Sequence, residues 1–346
     1  MIVEGKRLII PLFIAHLGCP FRCIYCNQGH IIDRDLTVAT SEEISEEIER
    51  CLKLRVHKQE DYHTVQVAFY GGSFTALPIE IQRGFLRSVA PFLNDRSVHS
   101  VRISTRPDYC FPESLAVLKH HGVVTIELGV QSMDDEVLRI SERGYSSKQV
   151  KDAVRELHRQ NFEIGMQLMI GLPGDSASTF VSTVEEVIAL RPHFIRLYPT
   201  LVIQGTQLEG WFRQGRYRPL SLDEAVSLAK EALWRLRKAC IPVIRVGLQP
   251  TPSLNEPGVI VAGPFHPAFR QLVESALLYE QAASLLECAR IQGLRSPTFL
   301  ISPKDISTFY GQRGDNIRKL RETFGLRQIL VRSDPHQTRG QISLCS

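Results

Sequence analysis

An α/β architecture of repeated strand-helix units is what this 346-residue sequence predicts, and three observations carry it. Apolar, strand-like runs recur every thirty to forty residues as far as about residue 250. Most are continuous, as the strands of a buried parallel sheet are. Segments of helical periodicity lie between them and place apolar side chains on one face. Six or seven such units with right-handed crossovers close as a full or partial parallel barrel or open as a doubly wound sheet, and spacing alone does not choose.

The strands, in order, are Leu8 to Leu17, Val65 to Tyr70, Val98 to Thr105, Thr125 to Val130, Glu163 to Ile170 and Phe194 to Leu201, with Val243 to Val246 as a seventh. Ile44, Ile48, Cys51 and Leu52 form one helical face, and Val150, Val154 and Leu157 another. Thr40 with Glu43, and Ser221 with Glu224, have capping-box spacing, in which hydroxyl and carboxylate satisfy the free amides of a helix start. Past residue 250 the pattern changes. Pro250, Pro252, Pro257, Pro264 and Pro267 mark a connection into a helix from about Ala268 to Ile291, and a small α+β unit follows. The expected divisions are therefore 1–250, 251–293 and 294–346.

The composition, 43% apolar and 23% charged with Gly 23 and Pro 19, excludes a disordered, collagen-like or low-complexity chain. Eight cysteines fall short of a disulfide scaffold, and Met1 to Arg7 lead into a strand-like run rather than a signal peptide, so a reducing, cytoplasmic setting is expected. The apolar stretch Leu8 to Ala15 is broken by Pro11 and far shorter than the roughly 20 residues of a membrane span. Net charge is +4, with nine basic and four acidic residues from Arg295 onward, so the tail is +5 and the rest −1. That asymmetry suits an anionic partner for the tail, or simply a solvated basic face.

Both candidate architectures put chemistry in the loops at the carboxyl ends of the strands. The first such loop carries Cys19, Cys23 and Cys26, a Cys-x3-Cys-x2-Cys run. Thiolates so close together repel unless a cation neutralises them, so a metal site is the economical reading. Zinc would want a fourth protein ligand, for which His16 or His30 are candidates. A four-iron cluster held by three cysteines instead leaves one iron open to a small molecule. Cys51, Cys110, Cys240, Cys288 and Cys345 are scattered and read as fillers.

The cysteine spacing, with Tyr25 just before the last cysteine, resembles the signature of the radical S-adenosylmethionine (SAM) superfamily. The resemblance implies a partial parallel (β/α)6-type radical SAM barrel with a small C-terminal α+β unit. It implies a [4Fe-4S] cluster on Cys19, Cys23 and Cys26 and SAM chelating its open iron. It also implies an external one-electron reductant, such as flavodoxin or ferredoxin, and reductive cleavage of SAM to a 5'-deoxyadenosyl radical. Tyr25 would pack beside the adenine. Gly71, Gly72 and Ser73 resemble the Gly-Gly-Glu motif that holds the SAM amino group, with Ser73 in place of the acidic residue. Ser104, Arg106 and Gln131 would lie near the ribose and carboxylate, and the segment around Ile170 would border the adenine. Glu127, Arg196 and Tyr198 are expected to face the cavity.

The blocks Gly71 to Pro78, Thr105 to Cys110, Glu127 to Ser132 and Leu197 to Thr206 are similar to those of the Elongator catalytic-subunit family (Elp3), over roughly residues 8 to 250. That likeness implies a barrel akin to the one that modifies wobble uridine in tRNA. Those enzymes have a longer gap between the first two cysteines and end in an acetyltransferase domain, for which the residues after 250 are too few. The reading is thus Elp3-like without that domain.

In the tail, strand, helix, Gly-x-x-Gly turn, helix and strand follow in the order of a KH-type RNA module. Gly311 and Gly314 frame the turn, and Arg313, Arg318 and Lys319 would meet phosphates of tRNA or another RNA, unless this is a plain helix-turn-helix surface. A radical SAM enzyme on a small metabolite or tetrapyrrole, and a metal-stabilised RNA-binding or redox-sensing protein, are the other readings.

Overall fold

The structure is a computed structural model that describes residues 7–14, 16–31, 40–57, 64–290 and 296–345. The expected boundary near residue 294 lies outside them. Seven parallel strands form one sheet: β1 (Arg7–Phe13), β2 (Thr64–Tyr70), β3 (Ser100–Thr105), β4 (Val123–Gln131), β5 (Glu163–Ile170), β6 (Phe194–Pro199) and, after a short β7 (Val202–Ile203), β8 (Val243–Val246). The order β1-β2-β3-β4-β5-β6-β8 follows the chain, so each crossover leads to the adjacent strand and the sheet winds one way, as in a barrel rather than a doubly wound sheet. Val243–Val246 joins the sheet beside β6 as the expected seventh strand.

The sheet is curled into a half-barrel. Laid flat, β2 and β6 would stand roughly 19 Å apart at about 4.8 Å per strand. Yet Tyr70 on β2 accepts from Arg196 Nη2 on β6 at 2.8 Å. The concave face is not the apolar layer that continuous runs suggest. Gln66, Arg102, Thr125, Glu127, Gln167 and Arg196 alternate along their strands with Val67, Ile103, Ile126, Leu168 and Leu197, which pack outward in the main core. A period of two therefore hides inside runs that look uniformly apolar, because one polar residue per pair is enough to give the concave face a hydrogen-bonded polar lining.

The helices cover the convex face. Ile44 and Ile48 of the helix Ser41–His57, and Val150, Val154 and Leu157 of Ser147–Arg159, are buried against the sheet. Both capping boxes form: Thr40 N donates to Glu43 Oε2 at 3.0 Å and Glu43 N to Thr40 Oγ1 at 3.2 Å. Ser221 N likewise donates to Glu224 Oε2 at 2.7 Å.

The Pro-rich connection returns across the strand ends, where β9 (Ile260–Ala262) pairs antiparallel with β7. The helix Phe269–Arg290 then serves two cores. Phe269, Val273 and Leu277 pack in the barrel, whereas Leu278, Ala282 and Leu286 pack with the tail. The tail holds β10 (Thr298–Ile301), β11 (Leu330–Ser333) and β12 (Ile342–Cys345), with β10 central, parallel to β11 and antiparallel to β12. The sequence does not advertise β12, which is only four residues long. No helix among the described residues is long and apolar enough to cross a membrane.

Tight packing between neighbouring strands predicts one stability result. A Cβ at Gly165 would lie 2.3 Å from Phe194 ring carbons and 3.1 Å from Glu127 Cγ, whereas one at Gly84 would meet nothing. Gly165→Ala is expected to cost about 1–3 kcal/mol by overpacking. Gly84→Ala, inside the helix Ile79–Asn94, should gain roughly 0.5–1 kcal/mol. Denaturant unfolding of the two variants checks both signs.

Candidate active site

The cysteine loop is held by backbone contacts that only glycine permits. After β1 the chain turns with His16 and Gly18 at positive φ, and His16 N donates to Gly71 O at 3.0 Å. Ser73 N donates to Leu17 O at 3.0 Å. A Cβ on Gly18 would stand 2.2 Å from Ser73 O, and one on Gly72 would stand 2.4 Å from Leu17 O. The Gly-Gly turn after β2 thus serves first as the bed on which the cysteine loop lies. Further along, Ile24 and Tyr25 are buried with Val137, Leu172 and Leu208, which anchors the loop between the three half-buried thiols.

Cys19, Cys23, Tyr25 and Cys26 border a cavity of about 640 Å³ at the carboxyl ends of the strands. Gly71, Gly72, Ser104, Arg106 and Gln131 border it too. Two expected residues do not. Ser73 is buried, with its hydroxyl against Thr105 Oγ1 at 3.1 Å and accepting from Arg106 N at 3.3 Å. Ile170 points into the outer core, and alternation along β5 gives the cavity Met169 instead. Glu127 is corrected as well: it is fully buried beneath the cavity, while Arg196 and Tyr198 do face it. Gly311, Arg313, Gly314, Arg318 and Lys319 sit in the tail, and none of them lines this cavity.

Gln131 reaches the cavity by a strained route. It sits at φ 67° on a bulge where β4 takes three steps, from Leu128 to Gln131, against two of β5, from Met166 to Leu168. A non-glycine residue held there carries backbone strain that the surrounding structure must impose.

The sequence reading missed Arg143. It donates to Cys23 Sγ at 2.8 Å, to Tyr25 OH at 3.2 Å, to Gly129 O at 2.6 Å and to Tyr145 OH at 2.9 Å. Its own carbonyl accepts from Arg106 Nη2 at 2.5 Å, and Arg106 pairs with Asp108 at 2.9 Å. Arg143 follows a short helix rather than a strand, so an inspection of strand ends passes over it.

Burial pushes the Cys19 thiol up, the nearby Cys23 adds to that, and Arg106 and Arg143 pull the other way. A half-buried thiol cluster of this kind becomes thiolate when a cationic group takes it up. Burial also lifts Cys51 to about 11 and Cys110 to about 12, which suits fillers.

The radical SAM superfamily profile matches residues 14–187, half of the sequence, and the radical SAM C-terminal domain matches residues 192–278. The chain belongs to the radical SAM superfamily. Radical SAM relatives include a tRNA uridine(34) acetyltransferase of Dehalococcoides mccartyi, 29% identical over 61% of this chain and 52% of its own length. An uncharacterised protein of Methanocaldococcus jannaschii is 28% identical over 67% of this chain and 73% of its own. Human Elongator complex protein 3 is 30% identical over 49% and 35%. The chain thus spans about half or less of the length of the relatives named for an activity or a complex. The Methanocaldococcus infernus Elp3 structure superposes with TM-score 0.60 at 21% identity, covering 84% of this chain and 64% of that one, and shares the fold.

Members of this superfamily use a [4Fe-4S] cluster and SAM, and this chain is a radical SAM enzyme. Its residues fit both groups. Each thiolate of a cluster takes a different iron, and Cys19, Cys23 and Cys26 all border the one cavity. Ser104 Oγ lies buried at the cavity wall with no partner among the described residues, a polar atom left for a ligand.

Loss of Cys19, Cys23 or Cys26 to Ala should abolish iron binding. Arg143→Met removes a charged donor from the Cys23 sulfur and should weaken cluster retention about 10–100-fold, the usual cost of losing an outer-shell partner. Iron per chain and visible absorbance during chelator challenge measure both.

Proposed function

We propose that this radical SAM enzyme reductively cleaves SAM and so modifies a base of tRNA or another RNA. The observation that carries the reading is electrostatic. Arg22, Arg106, Arg143, Arg196 and Arg245 line the cavity; Asp108 and the buried Glu127 offset Arg106 and Arg196, which leaves Arg22, Arg143 and Arg245 without a carboxylate partner among the described residues. Such a wall favours an anionic substrate and draws it in from solution. Relatives named for tRNA uridine(34) support the choice of RNA.

In this reading Cys19, Cys23 and Cys26 hold the cluster, and Tyr25, Gly71, Gly72, Ser104, Arg106 and Gln131 surround SAM. Together the two groups supply one-electron cleavage of a sulfonium carbon–sulfur bond and abstraction of a hydrogen atom from the substrate. Arg143 ties Cys23 to Tyr25 and to the β4 bulge, so the cluster side and the SAM side of the cavity share one rigid donor. A flavodoxin- or ferredoxin-like protein delivers the electron.

The tail is the second RNA contact. The helix Ile306–Tyr310 and the helix Asp315–Phe324 flank a turn with Gly311 at φ 74°, Arg313 at φ 53° and Gly314 at φ 76°. This is the order of a KH-like module, with the exposed Arg313 at its tip. Arg318 and Lys319 share the single carboxylate of Asp315, so the helix start keeps a positive excess.

Reconstituted anaerobically and reduced, the protein should convert SAM to 5'-deoxyadenosine and methionine and alter a nucleoside in tRNA from cells lacking it. A fully loaded cluster that never cleaves SAM would defeat the proposal. Replacing Arg313 and Arg318 with Glu should weaken tRNA binding and flatten its salt dependence by about one ion per lost phosphate contact. Unchanged tRNA affinity would assign the RNA contacts to the barrel alone, and turnover of a small molecule with tRNA untouched would favour a metabolite substrate.

A further inference from the structure

Glu127 is a fully buried carboxylate that organises the cavity floor. Its Oε1 accepts from Arg102 Nη1 at 2.7 Å, Tyr70 OH at 3.1 Å and Arg196 Nη2 at 3.1 Å. Its Oε2 accepts from Gln167 Nε2 at 3.1 Å and pairs with Arg196 Nε at 2.8 Å. Tyr70, Gln167 and Arg196 all line the cavity, from β2, β5 and β6.

A carboxylate can only accept. It therefore turns the NH2 of Gln167 toward itself and leaves the amide oxygen as the group that meets the cavity. Among the described residues nothing donates to that oxygen. The same reasoning applies on β6. Arg196 can only donate, and its Nη1 lies 3.4 Å from Tyr198 OH, so the phenol accepts there and keeps its hydrogen to give. Gln167 pairs in register with Arg196, and Met169 with Tyr198, the next positions on the same face. An acceptor and a donor thus stand on neighbouring strands in diagonal positions, one same-face step apart, with backbones roughly 7–8 Å from each other.

We propose that Gln167 and Tyr198 are specificity-determining residues that read a planar heterocycle by an N–H lying next to a carbonyl oxygen, as on the edge of a uracil ring. Glu127 is the positioning residue that presents them. This rests on the RNA reading above. The ring N–H donates to Gln167 Oε1, and the adjacent ring carbonyl accepts from Tyr198 OH. No covalent bond changes in this step.

The test uses the full chain with cluster and SAM bound. Its probes are two short single-stranded RNA oligomers, one of uridine and one of N3-methyluridine, compared by anaerobic fluorescence anisotropy. In the wild-type protein N3 methylation removes the donor and weakens binding at least about tenfold, the scale of one polar partner left unpaired in a desolvated site. Gln167→Met keeps the length and loses the acceptor, so it binds the two oligomers equally to within about twofold, a double-mutant cycle that removes the steric effect of the methyl group. Glu127→Gln frees the Gln167 amide to rotate and narrows the difference in the same direction. Neutralising a buried carboxylate between two arginines can unfold the chain, so thermal midpoint and cluster absorbance accompany each variant and Gln167→Met decides where Glu127→Gln does not fold. Indifference of the wild-type protein to N3 methylation, or an undiminished preference in Gln167→Met, overturns the recognition pair while tRNA binding still upholds the RNA reading. Binding of neither oligomer nor tRNA overturns both.

Discussion

The rest of the barrel depends on one buried carboxylate meeting two guanidiniums across the hollow of a curled sheet. Glu127 on β4 joins Arg102 on β3 to Arg196 on β6, and with Tyr70 and Gln167 it engages all the strands from β2 to β6. Removing such charges from water is costly, and an apolar filling of equal volume would commonly be as stable. The arrangement instead imposes geometry: every donor that turns down to Glu127 has a defined remaining face for the cavity. The curl follows from the same contacts, since polar side chains on β2 and β6 can touch only when the sheet bends.

A second constraint is steric. The cysteine loop and the Gly-Gly turn approach until backbone oxygens lie where a Cβ would be, and this couples two strand ends. Cys23 is then reached by Arg143 from 120 positions away, which also grips Tyr25 and the β4 bulge. Cys23, Tyr25 and the β4 bulge that carries Gln131 are therefore tied together on one wall of the cavity. Preorganisation of this kind is what a site needs when a reactive species must be aimed before it can escape.

The helix Phe269–Arg290 extends that rigidity to the tail. Its first turns are buried in the barrel core and its later turns in the tail core. Asn316, at the start of the helix that follows the Gly-x-x-Gly turn, donates to Ser275 O at 3.0 Å and Phe309 O at 3.1 Å. The exposed Arg313 is thus carried on an element fixed to the barrel.

Much of this was legible from residue order. Strand-helix alternation, both capping boxes and the three cysteines at a strand end are local features, each set by neighbours a few positions apart. Glu163–Ile170, Val243–Val246 and the helix Asp315–Phe324 fall where periodicity puts them. Facing direction at strand ends was less legible: Ser73, in the turn after β2, and Ile170, by plain alternation along β5, both turned away from the cavity. Tertiary structure alone decided which distant groups meet. Tyr70 and Arg196 are 126 positions apart, and Arg143 and Tyr25 are 118. Hydrogen bonds and local packing along the chain determine the elements, whereas the curl of a whole sheet determines which of their side chains share one cavity.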